Sequence, residues 1–516
     1  MNFLQHKTSK NLIPAVSPYP IYSYMCTWDI QCANEIPGKT MRDWLSHESL
    51  FGPNGWCYLF TPEIRKDYIF LLDDGWDLPL SVDGVNSDDH FGSFVLDPVK
   101  FPGYGDTPLE RLKTMTRKVQ EAGWYGLGVW VCCQEDAFHR NENGRWNEDY
   151  WIERILWSKE AGVIYWKNDW GKFAYTHEWR KFISRIANEL YPDLIIEHIT
   201  GDYGTNDPLD TGTCEKRIAN MLTCASYSDV FRTYDVTRQL YVCTTMDRVT
   251  RILKDVQITD GDHLGLLHCD LNTHMAAAAG CTTAICLCLT ESSEATYGNA
   301  RGEDETIRAA HWQRIAPPFD MSAYENKVSN QILTDTWYFT PADTWDHTIH
   351  NLLVKQHAAA AFGRGVDYPV TDLEEPPFMV AARNPISGAL SMATLCRTQQ
   401  DRMNQQIYAD VTWNVGALTG PIGLFGVYKS LTISFDRDIS GLQILAQDLK
   451  GPCAYDITPF VQVNGNILKL DGELLRVIGT SAAHKNDPSE PGLVIQIGTK
   501  SDWVAPPPTL PRAKRL

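Results

Sequence analysis

Several apolar runs in this chain end in groups that could do chemistry together. YIFLLDDGWD (68–77) closes on Asp73, Asp74 and Trp76, and the run before it closes on Trp28 and Asp29. Later runs close on Gln134, Glu135 and Asp136, on Lys167 and Asp169, on Glu197, His198 and Asp202, on Arg232 and Asp235, and on Asp270. Carboxylates accept hydrogen bonds from hydroxyl groups, lysine and arginine donate to them, and an aromatic face packs against C–H bonds. Such a set suits a neutral polyol. Two carboxyl groups on different elements could also flank a glycosidic bond, one as nucleophile or base and one as acid. Taken singly, each of these residues is more often a surface or ion-pair group; their shared place at the ends of apolar runs makes them candidates.

In VIYWKNDWG, Lys167 and Asp169 lie two apart, so on a strand they face the same side and Lys167 can hold the carboxylate ionised. The purely structural alternative is a local ion pair at the start of a loop. In DVFRTYDV, partial burial beside Tyr234 would raise Asp235 as a general acid requires. An Arg232–Asp235 bridge fixing the loop is the structural alternative there.

These residues need a scaffold that brings strand ends together. Eight apolar runs alternate with amphipathic segments. In 107–123, Leu109, Leu112, Met115 and Val119 share one face and Gly123 ends the helix; 147–162 repeats the pattern with a terminal Ala-Gly. Continuous apolar strands between helices imply parallel strands covered on both faces. Eight of them predict a (β/α)8 TIM barrel, whose active site lies at the C-terminal strand ends. No GxGxxG follows the first strand, which argues against an open dinucleotide-binding sheet. After about residue 370 short alternating runs such as GLFGVYKSLTISF take over. The division predicted is a catalytic barrel with an N-terminal extension over 1–370, an all-β C-terminal sandwich domain over 375–505 and a tail over 506–516.

The 516 residues are 43% hydrophobic and 21% charged, with 17 Trp, 22 Tyr and a formal net charge of −18. That balance fits a globular protein and works against nucleic-acid binding. The N-terminus lacks a signal peptide's apolar core, and the longest apolar region is broken by His268, Asp270, Asn272 and His274, so no membrane span and a cytoplasmic location are expected. The 14 cysteines are scattered, several within apolar runs, and read as buried thiols. Without a CxxC pair or HExxH, no metal site is expected. Oligomeric state stays open, a homo-oligomer included.

LDDGW, FVLDPVKFP followed by LERLKTMTRKVQEAGWYGLGVWV, and YWKND together resemble the melibiase-like glycoside hydrolases of families 27 and 36, α-galactosidases and α-N-acetylgalactosaminidases, over roughly residues 20 to 240. The resemblance implies a retaining α-galactosidase with Asp169 as nucleophile and Asp235 as acid/base, acting on a galactose-type glycoside or oligosaccharide without a cofactor. It implies that Asp73 and Asp74 bind hydroxyls on the far side of the ring, that Lys167 binds the middle hydroxyls, that Arg232 reaches the 2-position and that Trp28 forms an apolar wall. Glu197 or His198 would meet the 2-substituent. The family's acid motif has three residues between Arg and Asp where RTYD has two, so Asp229 is the alternative acid. Where the family often carries a cysteine after the nucleophile, Trp170 and Gly171 stand here, so no disulfide to Cys132 or Cys133 is expected. An α-N-acetylgalactosaminidase, a β-L-arabinopyranosidase, a transglycosidase and a non-catalytic carbohydrate-binding protein are the alternatives.

Overall fold

A computed structural model of the protein describes residues 3–33, 38, 40–58, 62–79, 91–199, 222–232, 241–256, 265–269, 273–285, 303–321, 325–331, 359–398 and 404–505. All eight apolar runs form strands of one closed barrel: β1 (Tyr24–Cys26), β2 (Ile69–Leu72), β3 (Gly126–Val131), β4 (Val163–Asn168), β5 (Ile195–Ile199), β6 (Val230–Arg232), β7 (Leu266–Cys269) and β8 (Thr282–Ile285). Every neighbouring pair is parallel, and β1 closes the ring by pairing with both β2 and β8. The TIM barrel expected from the alternating pattern is therefore present.

Helices α1 (Pro108–Glu121), α2 (Glu148–Ala161), α3 (His177–Leu190), α4 (Tyr241–Asp255), α5 (Thr273–Ala279) and α6 (Glu303–Gln313) connect or follow the strands. The start of α1 is set locally: the Thr107 hydroxyl accepts from Glu110 N, the Glu110 carboxylate accepts from Thr107 N, and Pro108 takes the first turn, where no N–H is needed. Its Leu112, Met115 and Val119 are buried. Asn147 caps α2, and Gly162, at φ +76°, ends it in the left-handed conformation and feeds β4.

Side chains two apart share a face of a strand. Tyr24, Cys26, Ile69, Leu71, Tyr165, Ile195, Val230 and Leu266 consequently pack together inside the barrel. A Cβ on Gly128 would lie 3.1 Å from Tyr165 Cβ and 3.2 Å from Ile69 Cγ2, so this glycine makes room for the Tyr165 ring. Along the same faces toward the C-terminal ends come Asp73, Trp130, Lys167, Asp169, Glu197, Arg232 and His268.

Beyond the barrel lie a two-stranded ribbon, Arg397–Thr398 with Asn404–Gln405, and two multi-stranded sheets. The larger runs, edge to edge, through Tyr455–Asp456, Ile444–Asp448, Gly492–Ile497, Ile422–Phe425, Leu390–Leu395, Phe378–Arg383, Ala361–Arg364 and Asn326–Val328. The smaller holds Asp410–Gly416, Ser430–Phe435, Ile467–Asp471 and Gln462–Asn464. Val411, Trp413, Leu431, Ile433, Leu468 and Leu470 of the smaller sheet meet Met379, Ala381, Leu424 and Ile495 of the larger across a common core. Both sheets are mixed rather than purely antiparallel, and a helix, α7 (Gly472–Gly479), lies among their strands where the sequence showed no helical period. The larger sheet also takes in strands from upstream of residue 375. Its central strands are buried on both faces because α5 covers one side: Phe378, Val380 and Ala393 pack with Met275, Ala276 and Ala279, while Met379 and Ala381 face the smaller sheet.

A buried ion pair ties barrel to sandwich. Arg308 on α6 donates through Nε to Asp448 Oδ1 at 2.9 Å and through Nη2 to Oδ2 at 3.3 Å. Both side chains are fully buried. Replacing Arg308 by methionine leaves the Asp448 charge without its counter-ion, and we expect a loss of about 3–5 kcal/mol, seen as a marked fall in the thermal unfolding midpoint. An unchanged midpoint would show that the pair carries no net stability.

Candidate active site

Asp73 follows the last interior residue of β2 and is almost wholly buried. Its Oδ2 accepts from Lys167 Nζ at 2.6 Å and from the Cys26 thiol at 2.9 Å, and its Oδ1 accepts from Asp74 N at 2.8 Å. Burial alone would raise the carboxyl, but the Lys167 ammonium and these hydrogen bonds outweigh it and hold Asp73 below its ordinary value. Burial likewise works against the charge on Lys167; Asp73 overcomes it and raises the ammonium well above its ordinary value. The two are a committed ion pair, so Lys167 is matched to Asp73 rather than primarily to Asp169.

Asp169 stands just past β4 with its side chain 23% exposed, against 1% for Arg232. Arg232 Nη2 lies 3.3 Å from Asp169 Oδ1, and the Trp130 indole N–H donates to Oδ2 at 3.1 Å. The Arg232 guanidinium also reaches down to Glu197, with Nε 3.2 Å from Oε1. Glu197 Oε2 accepts from the Tyr165 hydroxyl at 2.7 Å. Burial raises Glu197 against the pull of His268, Arg232 and Lys167. His268 completes this floor: its ring stacks on Tyr24 at 4.7 Å and its Nδ1 lies 2.8 Å from the Thr282 hydroxyl.

Asp74 turns away from Asp73 to meet Arg42, from the single turn Met41–Trp44 between β1 and β2. Arg42 donates through Nε to Oδ1 and through Nη2 to Oδ2, both at 2.9 Å. The Trp170 indole N–H adds a longer contact to Oδ2 at 3.3 Å. Burial, with Asp73 and Asp169 nearby, still pushes the Asp74 carboxyl up to about 6 despite Arg42.

The barrel thus brings together Asp73, Asp74, Lys167, Asp169, Glu197 and Arg232 from the ends of four strands. Trp28, at the start of a short helix Trp28–Ala33, packs half-buried against the interior cluster. Other expected members sit elsewhere. His198 faces outward, its Nδ1 accepting from Arg180 on α3 and its Nε2 meeting the Ser184 hydroxyl, because it alternates with the inward Glu197. Trp76 is fully buried behind the mouth, its N–H donated to the Trp130 carbonyl at 2.7 Å. Gln134, Glu135 and Asp136 serve loop architecture: Gln134 accepts from Lys172 N, Glu135 accepts from Asn147 N and Trp151, and Asp136 meets His139. Asp229 precedes β6, at the end of the strand away from the mouth, and accepts from Ile196 N. Asp235, Asp202 and Asp270 lie outside the described residues, as does the side chain of Asp29. Cys132 and Cys133 are buried thiols without a disulfide.

Arg42, Trp130, Trp170 and Cys26 were not singled out in the sequence. Trp130 and Cys26 were within reach, since counting by twos along YMC and GLGVWV puts both on the inner face; Arg42 comes from a turn between strands and gave no such signal. Among the described residues, Asp304, His484 and Asp487 are close enough to share a metal ion, but the Lys450 ammonium already lies 2.7 Å from Asp304 Oδ1. No described helix is long and apolar enough to cross a membrane.

No family model and no curated protein matches the chain. Among solved structures, a candidate alpha-galactosidase/melibiase of Bacteroides fragilis aligns at 11% identity and a TM-score of 0.33, over 95% of this chain and 80% of that one. A protein of Neocallimastix frontalis aligns at 8% identity and a TM-score of 0.27, over 77% of this chain and 87% of that one.

Just behind the mouth, Asp77 hooks the chain that returns at Gly92. Its Oδ2 accepts from Gly92 N at 3.0 Å and Phe94 N at 3.3 Å, while its buried Oδ1 has no hydrogen-bond partner among the described residues. Burial, reinforced by Asp74, raises it from 3.8 to about 7 against those backbone bonds. Below about pH 4 the group is protonated in both folded and unfolded chains. Between about 4 and 7 the folded chain keeps a proton that the unfolded chain has released, so stability from this group falls as pH rises and the penalty is complete above about 7. Asp77→Asn keeps an acceptor for both N–H groups and cannot ionise. Its unfolding midpoint should match the parent near pH 4 and exceed it increasingly up to pH 8; a difference that does not change with pH would remove Asp77 from this role.

Proposed function

We propose that the protein is a retaining glycoside hydrolase acting on galactose-configured glycosides, with Asp169 as the nucleophile. The observation that carries the reading is the setting of Asp169. It is the most exposed carboxylate of the cluster for which the flanking groups are buried, it stands at the C-terminal end of a barrel strand, and donors from β3 and β6 meet its two oxygens. Trp28 and Trp170 beside it supply apolar faces for the C–H side of a sugar ring. The likeness of LDDGW and YWKND to the melibiase-like sequences supports the same assignment.

In the first step a carboxylate oxygen of Asp169 bonds to the anomeric carbon as the bond to the leaving oxygen breaks, and a general acid protonates that oxygen. In the second, the acid's conjugate base takes a proton from water, whose oxygen displaces Asp169 from the same carbon; two inversions leave the configuration retained. We assign the acid/base role to Asp235 on sequence grounds. The α-galactoside is the substrate proposed, with an α-N-acetylgalactosaminide or β-L-arabinopyranoside as alternatives on the same scaffold.

A panel of nitrophenyl glycosides (α-galactoside, α-N-acetylgalactosaminide, β-L-arabinopyranoside, α-glucoside) tests the reading. One member should be turned over, and Asp169→Asn should abolish that turnover with the unfolding midpoint retained; persistent activity would exclude Asp169 as nucleophile. Asp235→Ala should slow substrates with poor leaving groups far more than nitrophenyl ones, by about 10²-fold or more. Equal losses on both would assign Asp235 a structural role instead.

A further inference from the structure

The carboxylate that sequence reasoning left to greet the sugar on the β2 side is already engaged. A carboxylate has about four acceptor positions. Arg42 takes two of those on Asp74 and the Trp170 N–H takes a third. Asp74 is also covered: its side chain is 4% exposed, that of Arg42 29%. Of the two side chains, Arg42 is the more exposed.

This placement is built into the fold. Gly75 has φ +98°, and a Cβ there would lie 2.7 Å from both Cα and Cβ of Arg42, so only glycine lets the two backbones come this close. Lys100 Nζ donates to the Arg42 carbonyl at 2.7 Å. The guanidinium lies 4.3 Å over the Phe91 ring and 5.4 Å from the Trp170 ring. Trp170 in turn packs at 5.2 Å on Trp130, the residue that donates to Asp169. Arg42 is thus held at the rim, linked through two indoles to the candidate nucleophile.

We propose that Arg42 is a specificity-determining residue that reads the glycone, with Asp74 as its anchor and counter-ion rather than as a hydroxyl acceptor. The inference rests on the glycosidase reading and deepens it. The pairing converts a subsite that would accept hydrogen bonds into one that donates them. The sugar must therefore present an accepting oxygen toward β2, a hydroxyl in a neutral glycone, and an unacylated amino sugar with an ammonium group there is rejected.

Calorimetric titration of the full chain, in the Asp169→Asn background, with methyl α-galactoside and methyl β-L-arabinopyranoside separates the roles. Arg42→Met alone would strand a buried carboxylate, so it is paired with Asp74→Asn. The pair should weaken binding at least about tenfold, the size of one lost charge-assisted hydrogen bond. Asp74→Asn alone, which keeps an acceptor for the guanidinium, should cost about threefold at most, and Arg42→Lys should fall between them because an ammonium cannot form the fork. Equal losses in Asp74→Asn and the double variant would make the carboxylate the reader and overturn the proposal, as would unchanged binding in the double variant. Arg42-dependent sugar binding without turnover of any glycoside by the parent would sustain Arg42 and sink the hydrolase reading; no sugar binding at all would sink both.

Discussion

A lysine ammonium and an aspartate carboxylate 2.6 Å apart, both nearly sealed from water, set the terms for every other charge at this barrel's mouth. Removing either charge from solvent is costly, and only the close contact with the other offsets it. Because Lys167 is committed to Asp73, the remaining carboxylates need other partners. Arg232 serves Asp169 and Glu197 together, and Arg42 is brought from outside the barrel for Asp74. The polar mouth is a chain of charge contacts between four strand ends and one turn, so closing the barrel and balancing the site's charge go together.

The floor below follows from that balance. Glu197 lies deeper than Asp169 and shares its arginine, with Tyr165 donating from the neighbouring strand. The Arg232 guanidinium lies between two carboxylates at different depths, 3.3 Å from Asp169 Oδ1 and 3.2 Å from Glu197 Oε1, and its charge serves both. Asp169 is consequently oriented from beneath by a group itself held by the core, and from the side by Trp130. Rigid support of this kind is what the nucleophile role proposed for Asp169 requires.

Strand number and order were legible in the sequence because burial on both faces makes a barrel strand a continuous apolar run, and a helix ending in glycine marks the junctions before β3 and β4. Which strand-end residues converge was legible only in part. Counting by twos from Tyr165 reaches Lys167 and Asp169, and from Ile195 it reaches Glu197; the same count turns His198 outward, a distinction that proximity to the strand end obscures. Partner choice was not legible. Lys167 and Asp169 share a face, yet the lysine pairs across the barrel with Asp73, since distance between strands rather than spacing along one decides the contact. Arg42 escaped because its position depends on the close approach allowed by Gly75. The strand Ala361–Arg364, upstream of residue 375, was hidden because the larger sheet is covered on both faces there, which erases the alternation that marks a half-exposed sheet; helix α7, only eight residues long, is too short to show a period among strands.

Helix α5 carries the sequence THMAAAA and is buried at every position. A helix on the outside of a barrel ordinarily keeps one polar face for water; this one has none, since the larger sheet lies where solvent would be. The larger C-terminal sheet is therefore an outer layer over the barrel's shell at the helix between β7 and β8, rather than an appended module. A barrel exchanged onto another partner, or a sandwich grafted elsewhere, would carry a raw apolar surface with it, so the two units are constrained to be inherited and to vary together.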